Sequence, residues 1–254
     1  MPEATGLLSV VATPIGNLGD LTPRAAETLR AAEAILCEDT RTTRHLLDHY
    51  EIKVPLYPYH DHNERQTADH WAERIARGAH LALVSDAGTP GISDPGFRIV
   101  RACRVRGLRV EGIPGACALT TALSISGLPT DSFWFKGFLP PKTAARQRFF
   151  EMHRDFPGTI CLYESNHRIG KCLHDLAKIL GPGRVVCVAK ELTKRHETVW
   201  TAPVGTLLPR LEDPSAAFRK GEFVLLIAPE TYQLVPEEKE RRDVDDNPDV
   251  FGGN

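Results

Sequence analysis

The chain has 254 residues, of which 42% are hydrophobic and 25% are charged, and its formal net charge is −2. These values are typical of a globular protein that buries a sizeable core in one large or two smaller domains, and the bulk charge does not indicate a nucleic-acid binder. No apolar run approaches the ~20 residues of a membrane-spanning helix, which excludes a helical membrane protein.

The cysteines and the N-terminus indicate the compartment. Six cysteines are scattered through mostly apolar surroundings without any CxxC pair, so we expect reduced core thiols and neither a zinc nor a disulfide framework. The N-terminus lacks the basic and apolar regions of a signal peptide. We therefore expect a cytoplasmic protein that does not contact a membrane.

The first half of the chain alternates strands and helices. The predicted strands are Leu7–Thr13, Ala34–Cys37, Pro55–Tyr59, His80–Val84 and Arg109–Ile113. Thr22 as N-cap and Pro23 at the first helical position start one helix, and Pro114-Gly115 open another that runs to about Ser126. This alternation predicts a mainly parallel sheet covered on both faces.

A linker at Gly127–Thr130 precedes a second α/β region. Its predicted strands are Ser132–Phe138, Thr159–Glu164, Val185–Glu191, Glu197–Ala202 and Glu222–Ala228. The third and fourth leave no room for a helix between them, which predicts an antiparallel or mixed sheet. We therefore expect two α/β lobes, 1–126 and 127–230, with a cleft between them, and an acidic, disordered tail at 231–254.

Charge is distributed unevenly along the chain. From Lys136 to Lys171 there are seven basic and three acidic residues, whereas from Glu230 to Asn254 there are eight acidic and three basic ones. An acidic tail thus masks a basic middle region.

The most informative stretch is the loop LVSDAGTPGISDPG, from Leu83 to Gly96. It joins a strand to a helix, where open α/β sheets hold ligands, and its glycines allow close approach of the backbone. It contains Asp86 and Asp94 but no Lys or Arg, unlike a phosphate-binding loop. This favours a ligand with hydroxyls, amines or a cationic centre, such as S-adenosylmethionine, over a tight turn with solvated aspartates.

Other polar clusters also follow predicted strands. PIGNLGD (14–20) lacks the dinucleotide fingerprint and forms a second glycine loop. In CEDTRTTRHLL (37–47), Arg41 and Arg44 are suited to grip phosphates and Glu38 or Asp39 to act as a base, although an N-cap with surface ion pairs remains an alternative. HDHNE (60–64) has no second ligand cluster with zinc spacing, so we expect no metal site.

The second lobe carries three more such clusters, namely YESNHRI (163–169), AKELTKRHE (189–197) and GFLPPK (137–142). Arg146 and Arg148 follow the last of these. These basic loops suit a phosphate backbone and the wall of a substrate cleft; ordinary strand-end loops and a solvated helix face are the alternatives.

In order along the chain, LSVVATPIGNLGDLTPRA, ILCEDTR, LVSDAGTPGISDPG, IPGACALTTAL, GFLP, YESNHRI and AKELTKRHE resemble the ribosomal RNA small subunit methyltransferase I family of the tetrapyrrole methylase superfamily. The resemblance spans Leu8 to about Ala228. It implies a two-lobed tetrapyrrole methylase-like α/β fold with S-adenosylmethionine in the cleft between the lobes. It also implies a homodimer that methylates the ribose 2′-oxygen of a cytidine in the decoding region of small-subunit (16S) ribosomal RNA.

The resemblance also assigns roles to residues. The cofactor-binding positions that the resemblance implies are Asp86, Ala87, Gly88, Thr89, Ile92, Thr120, Tyr163, Glu164, Leu192 and Glu222. For the implied reaction we expect the catalytic residues to be Glu38, Asp39, Glu191 and Lys190, the first two being favoured as base and Lys190 as polariser. We expect the RNA-binding residues to be Arg41, Arg44, Lys142, Arg168 and Arg195, with Lys190 as a further phosphate contact.

One departure from the family pattern concerns the C-terminus. Many relatives carry a small helical segment after the second lobe, where this chain has the short acidic stretch EEKERRDVDDNPDVFGGN. RNA affinity then depends on the basic cleft of the dimer, or the substrate is the assembled subunit. A precorrin-type tetrapyrrole C-methyltransferase and a non-catalytic ribosome-assembly factor that binds RNA are the rival functions.

Overall fold

The computed structural model describes residues 6–212 and 221–234. The predicted disorder of the acidic tail falls almost wholly on residues 235–254, which lie outside the described residues. The chain forms two compact units. Unit 1 comprises Met1–Ile125 and Ala189–Thr198, and unit 2 comprises Ser126–Val188 and Val199–Asn254. The predicted lobe boundaries remain a prediction.

Unit 1 is built on a five-stranded sheet of order β3-β2-β4-β1-β5, in which all neighbouring strands are parallel. Its strands are β1 (Leu7–Val11), β2 (Ala34–Cys37), β3 (Leu56–Pro58), β4 (His80–Leu83) and β5 (Arg109–Ile113). Its helices are α1 (Pro23–Ala31), α2 (Thr40–His49), α3 (Glu64–Ala76), α4 (Phe97–Val105) and α5 (Ala118–Ile125).

The three central strands β1, β2 and β4 are largely buried on both faces, which is why their sequences are mostly apolar. In β2, Ile35 and Cys37 join the core cluster formed with α1 and α2, whereas Ala34 and Leu36 join the cluster formed with α3 and α4. The predicted parallel sheet with helices on both faces is confirmed.

A local sequence signal fixes the start of α1. Thr22 caps α1 by accepting a hydrogen bond from the Ala25 amide at 3.1 Å, and Pro23 is its first residue. The prediction that a helix opens at Pro114-Gly115 was wrong, because α5 begins at Ala118. A Cβ at Gly115 would lie 3.0 Å from the Ala12 Cβ, so this segment packs closely against the chain that follows β1.

Unit 2 contains a mixed sheet of order β6-β7-β10-β8-β9, with β7 parallel to β6 and antiparallel to β10, as predicted. Its strands are β6 (Phe133–Phe138), β7 (Thr159–Ser165), β8 (Val185–Lys190), β9 (Thr198–Pro203) and β10 (Glu222–Ile227). Its helices are α6 (Thr143–Met152), α7 (Ile169–Leu180) and α8 (Val204–Glu212). The apolar stripe of α7 is buried in the core of this unit and consists of Ile169, Cys172, Leu173, Leu176 and Leu180.

Arg146 is a structural residue of unit 2. Its side chain is 2% exposed and forms an ion pair with Asp175 of α7, whose other oxygen accepts a hydrogen bond from Gln147 at 2.6 Å. The prediction that Arg146 belongs to an exposed basic surface was therefore wrong. Because removing one partner of a buried ion pair leaves the other charge uncompensated, this contact fastens α6 to α7.

Candidate active site

The loops that follow the strands of unit 1 meet at one edge of the sheet, because parallel strands end at the same edge. The chain after β1 bonds to the chain after β4 through a reciprocal pair of hydrogen bonds. The Thr13 amide donates to the Gly88 carbonyl at 2.9 Å, and the Gly88 amide donates to the Thr13 carbonyl at 3.0 Å. The Thr89 hydroxyl donates to the Ala116 carbonyl at 3.2 Å, which ties in the chain after β5.

Gly88 is required at the centre of this arrangement. Its φ is +85°, in the left-handed region where a side chain is strained, and a Cβ would lie 3.3 Å from the Ile15 side chain. Beside it, Ala87 and Ile92 are exposed, and Thr89 is partly exposed. The predicted cofactor loop is thus open to solvent on one side and held by hydrogen bonds on the other.

Carboxylates gather at this edge. The Asp39 amide donates to Asp86 Oδ1 at 2.9 Å, which joins the loops after β2 and β4. Burial, and then the charges of Asp86 and Asp61, raise the pKa of Glu38. Burial and the charge of Asp39 also raise the pKa of Asp86, although its hydrogen bond from the Asp39 amide acts in the opposite direction. The edge therefore carries a negative field that suits a cationic ligand.

Asp94 belongs to the same group but was not predicted as a site residue. Burial raises the pKa of its carboxyl to about 6; a hydrogen bond with Ser85 opposes this shift, and the charges of Glu38, Asp86 and Asp61 add to it. The sequence signal was present, since Asp94 is one of the two aspartates of the loop. Its burial, however, depends on how the loop folds.

Asp39 differs from its neighbours. Its carboxylate caps α2 by accepting from the Arg41 amide at 2.8 Å, and it accepts two further hydrogen bonds from the Arg41 guanidinium at 3.1 and 2.6 Å. These bonds hold its pKa at about 2. The predicted N-cap and ion pair are both present, and Arg44 is exposed on the same helix.

The segment Ala189–Thr198 also belongs to unit 1 and packs against the glycine loop PIGNLGD (14–20). A Cβ at Gly16 would collide with the Lys194 side chain and lie 3.1 Å from the Leu192 carbonyl oxygen. Lys194 forms an ion pair of 3.0 Å with Glu191, and Lys190 is 6% exposed. The structure thus places Lys190, Glu191 and Leu192 in unit 1. Arg195 lies in the same segment, and its side chain is exposed.

The remaining predicted residues have varied surroundings. Thr120 is exposed on α5 and donates to the Cys117 carbonyl at 3.2 Å. Lys142 is exposed at the start of α6, and Glu222 is exposed at the start of β10. The ring of Tyr163 lies 4.9 Å from that of Phe135 and 5.9 Å from that of Phe138.

Glu164 is the most unusual carboxylate of unit 2. Its side chain is 1% exposed; Oε1 lies 3.3 Å from Arg168 Nε and accepts from the Ser165 amide at 2.9 Å. Within the part of the chain that the structure describes, Oε2 is buried and has no hydrogen-bond partner. Arg168 also donates to the Leu139 carbonyl at 2.6 Å. Since buried acceptors rarely stay unsatisfied, Oε2 is suited to accept a hydrogen bond from a ligand.

Residues 6–212 and 221–234 include neither a helix suited to span a membrane nor a cluster of metal ligands. No helix there is long and apolar enough to cross a membrane. No group of three or more histidine, cysteine or acidic side chains is arranged to hold a metal ion.

The fold and the loop edge define a class of methyltransferase. Residues 7–208 match the family described as Tetrapyrrole (Corrin/Porphyrin) Methylases. The chain is similar in structure to the methyltransferase CobJ, with a TM-score of 0.65, 19% identity and coverage of 91% of this chain and 97% of that one. It is similarly close to a diphthine synthase, with a TM-score of 0.66, 15% identity and coverage of 87% and 89%.

Sequence relatives narrow the class. The ribosomal RNA small subunit methyltransferase I of Xylella fastidiosa is 52% identical over 87% of this chain and 81% of its own length. That of Escherichia coli O157:H7 is 48% identical over 89% of this chain and 78% of its own length. The chain therefore belongs to the ribosomal RNA small subunit methyltransferase I family, within the tetrapyrrole methylases.

Proposed function

We propose that the protein transfers a methyl group from S-adenosylmethionine to the ribose 2′-oxygen of a cytidine in the decoding region of small-subunit ribosomal RNA. The observation that carries this proposal is the 52% and 48% identity to relatives named ribosomal RNA small subunit methyltransferase I, over nearly nine tenths of the chain. The carboxylate-rich edge of unit 1 supports the choice of a cationic cofactor.

The described residues fit S-adenosylmethionine. The residues of unit 1 that we propose to hold it are Asp86, Ala87, Gly88, Thr89, Ile92, Thr120 and Leu192. The cofactor residues that we propose in unit 2 are Tyr163, Glu164 and Glu222. The free acceptor Glu164 Oε2 suits an amino or hydroxyl donor, and the loop carboxylates suit the sulfonium. When bound, the cofactor supplies a methyl group that is already electrophilic.

The protein must then orient the ribose and accept its proton. Positioning supplies much of the acceleration in such a displacement. The 2′-oxygen would receive the methyl group that the cofactor supplies, the demethylated cofactor would be the leaving group, and a carboxylate of this chain would accept the hydroxyl proton. Among Glu38, Asp39 and Glu191, Glu38 is the base we favour, because its pKa is raised whereas that of Asp39 is held at about 2. We assign Lys190 to polarising the acceptor or holding a phosphate.

The RNA would be held through its phosphates by arginine and lysine side chains. The cationic side chains available for this purpose are those of Arg41, Arg44, Lys142 and Arg195, all of which are exposed. Arg168 is less suited, because two backbone carbonyls and Glu164 already engage its guanidinium. We also propose that the protein is a cytoplasmic homodimer and that its substrate is the assembled small subunit.

A panel of acceptors tests the proposal. Labelled S-adenosylmethionine is supplied with small ribosomal subunits, protein-free small-subunit RNA and a precorrin-type tetrapyrrole in parallel. We expect label in RNA, with the subunit preferred. Label in the tetrapyrrole would instead favour the activity in the description of the matched family, Tetrapyrrole (Corrin/Porphyrin) Methylases, and cofactor binding without transfer to any acceptor would contradict the proposal.

A further inference from the structure

A groove of about 230 Å³ lies on the surface of unit 1, between α3 and α4. It is separate from the residues assigned to the cofactor, the reaction and the RNA above. Its lining is dominated by guanidinium groups and contains a single carboxylate. The lining residues are Arg65, Ala68, Asp69, Arg98, Arg101, Ala102, Val105 and Arg106.

The sequence of α4 explains this concentration of charge. Ile99 and Cys103 are buried against the sheet, so the helix turns its other positions outward. Arg98, Arg101 and Arg106 occupy this outer surface, and all three are exposed. The rise from Arg98 to Arg106 is about 12 Å along the helix, which is long enough to follow several phosphates of one strand.

Only part of this charge is compensated. Arg98 pairs with Glu64 at 3.2 Å and Arg106 pairs with Asp69 at 2.8 Å. Within residues 6–212 and 221–234, no hydrogen bond, ion pair or ring contact engages the side chains of Arg65 or Arg101. The two ion pairs are solvent-exposed on at least one side and contribute little to stability, so they are easily exchanged for a stronger anion.

An exposed aromatic side chain accompanies the arginines. Phe97, the first residue of α4, is 68% exposed. It lies four positions before Arg101 and therefore on the same side of the helix. Basic grooves that bind single-stranded nucleic acid combine phosphate contacts with aromatic side chains on which bases stack.

From this geometry we infer that the α3–α4 groove binds the sugar–phosphate backbone of a single-stranded segment of RNA, with Phe97 stacking on one of its bases. The inference rests on the proposed function, since it names a second contact with the same RNA. An extended polyanion fits better than a free phosphate, because the guanidinium groups are spread along the helix. The groove extends the RNA contacts beyond the loop edge in a chain whose bulk charge is −2.

The test measures binding of the full chain to protein-free small-subunit RNA at several salt concentrations. The variant R65Q/R101Q removes the two uncompensated charges. R30Q/R77Q is the matched control, because it removes two exposed arginines from the last turn of α1 and the end of α3. We expect R65Q/R101Q to raise the Kd for RNA about tenfold at low salt and to reduce the slope of log Kd against log salt by about 1.4, at ~0.7 per phosphate contact. The control should change neither quantity by a comparable amount.

A second variant separates stacking from charge. F97L keeps an apolar side chain and loses the ring, so we expect a several-fold weaker affinity with an unchanged salt slope. The Kd for S-adenosylmethionine should be the same in all variants, which shows that each of them is folded.

The outcomes distinguish this inference from the proposed function. If the unaltered protein methylates small subunits but R65Q/R101Q binds RNA like the control, the groove inference is wrong and the proposed function stands. If the unaltered protein binds RNA and transfers no methyl group to it, the proposed function fails while the salt slopes still decide the groove. A change in sedimentation of R65Q/R101Q without a change in RNA affinity would identify the groove as a contact with a second copy, which overturns the inference.

Discussion

Glu38 and Asp39 are adjacent in the chain, yet their surroundings shift their pKa values in opposite directions. Burial and neighbouring carboxylates raise the pKa of Glu38, whereas the hydrogen bonds of Arg41 hold that of Asp39 at about 2. A base must be able to keep the proton that it removes, so the two carboxylates are not equivalent candidates.

We predict that E38Q lowers kcat by a factor of about 10² or more, because it removes the proposed proton acceptor. The rate of the unaltered protein should rise with pH through the raised pKa of Glu38, because the base acts in its deprotonated form, and E38Q should lose this rise. D39N keeps a residue suited to cap α2 and serves as the control. The rate constant of single-turnover methyl transfer, measured across pH, gives both the loss of rate in E38Q and the pH dependence of each protein. An E38Q profile that matches the unaltered protein would exclude Glu38 as the base.

Asp94 gives a prediction for stability. Its folded pKa of about 6 lies above the value of 3.8 for an unperturbed carboxyl, so between these pH values the folded state binds a proton that the unfolded state has released. The free energy of unfolding should therefore fall as pH rises from about 4 to 6, by up to about 3 kcal/mol. In D94N this dependence should be absent and the protein more stable than the parent at pH 7. Urea unfolding at several pH values measures the free energy of unfolding of both proteins. The same pH dependence in D94N and the parent would contradict a raised pKa for Asp94.

At the scale of elements, the close approach of two loops is a structural requirement. Gly16 in the loop after β1 leaves no room for a Cβ, because the Leu192 carbonyl oxygen would lie 3.1 Å away and the Lys194 side chain would collide with it. The segment that contains Leu192 carries further proposed site residues, including Lys190 and Glu191.

We predict that G16A lowers the stability of unit 1 by about 1–3 kcal/mol, the usual cost of overpacking, and weakens S-adenosylmethionine binding. G112A is the matched control, because a Cβ at Gly112 would meet nothing within 4 Å. The midpoint of urea unfolding and calorimetric cofactor binding measure the two effects. If G16A and G112A had the same unfolding midpoint and the same Kd for S-adenosylmethionine, the close contact between the loop after β1 and the segment that contains Leu192 would not be required.

The strands and the glycine-rich loop could be predicted because their signals are local. Apolar runs, Thr22-Pro23 and the glycine and proline spacing of the central loop act over a few residues. The ion pair that buries Arg146 could not be predicted, because Asp175 is distant in sequence and meets it only when α6 packs on α7. The burial that raises the pKa of Asp94 likewise depends on the folded loop rather than on the sequence around it.

At the scale of the molecule, the distribution of charge matters more than its sum. The chain has a formal net charge of −2, but unit 1 carries acidic side chains at its loop edge and arginines along the α3–α4 groove. A cationic cofactor and a polyanionic substrate therefore have separate surfaces of suitable charge on the same unit. The bulk composition could not reveal this arrangement, because the groove forms only when two helices pack side by side.

The central claim is that the methyl group is placed on a ribose oxygen of a cytidine in small-subunit RNA. The most direct measurement is to label small ribosomal subunits with the enzyme, digest the RNA to nucleosides and identify the labelled nucleoside by mass spectrometry. The account predicts 2′-O-methylcytidine as the labelled product and one new bond resistant to alkaline cleavage, located in the decoding region. Label on a base, on a ribose other than that of a cytidine, or in no RNA at all would contradict it.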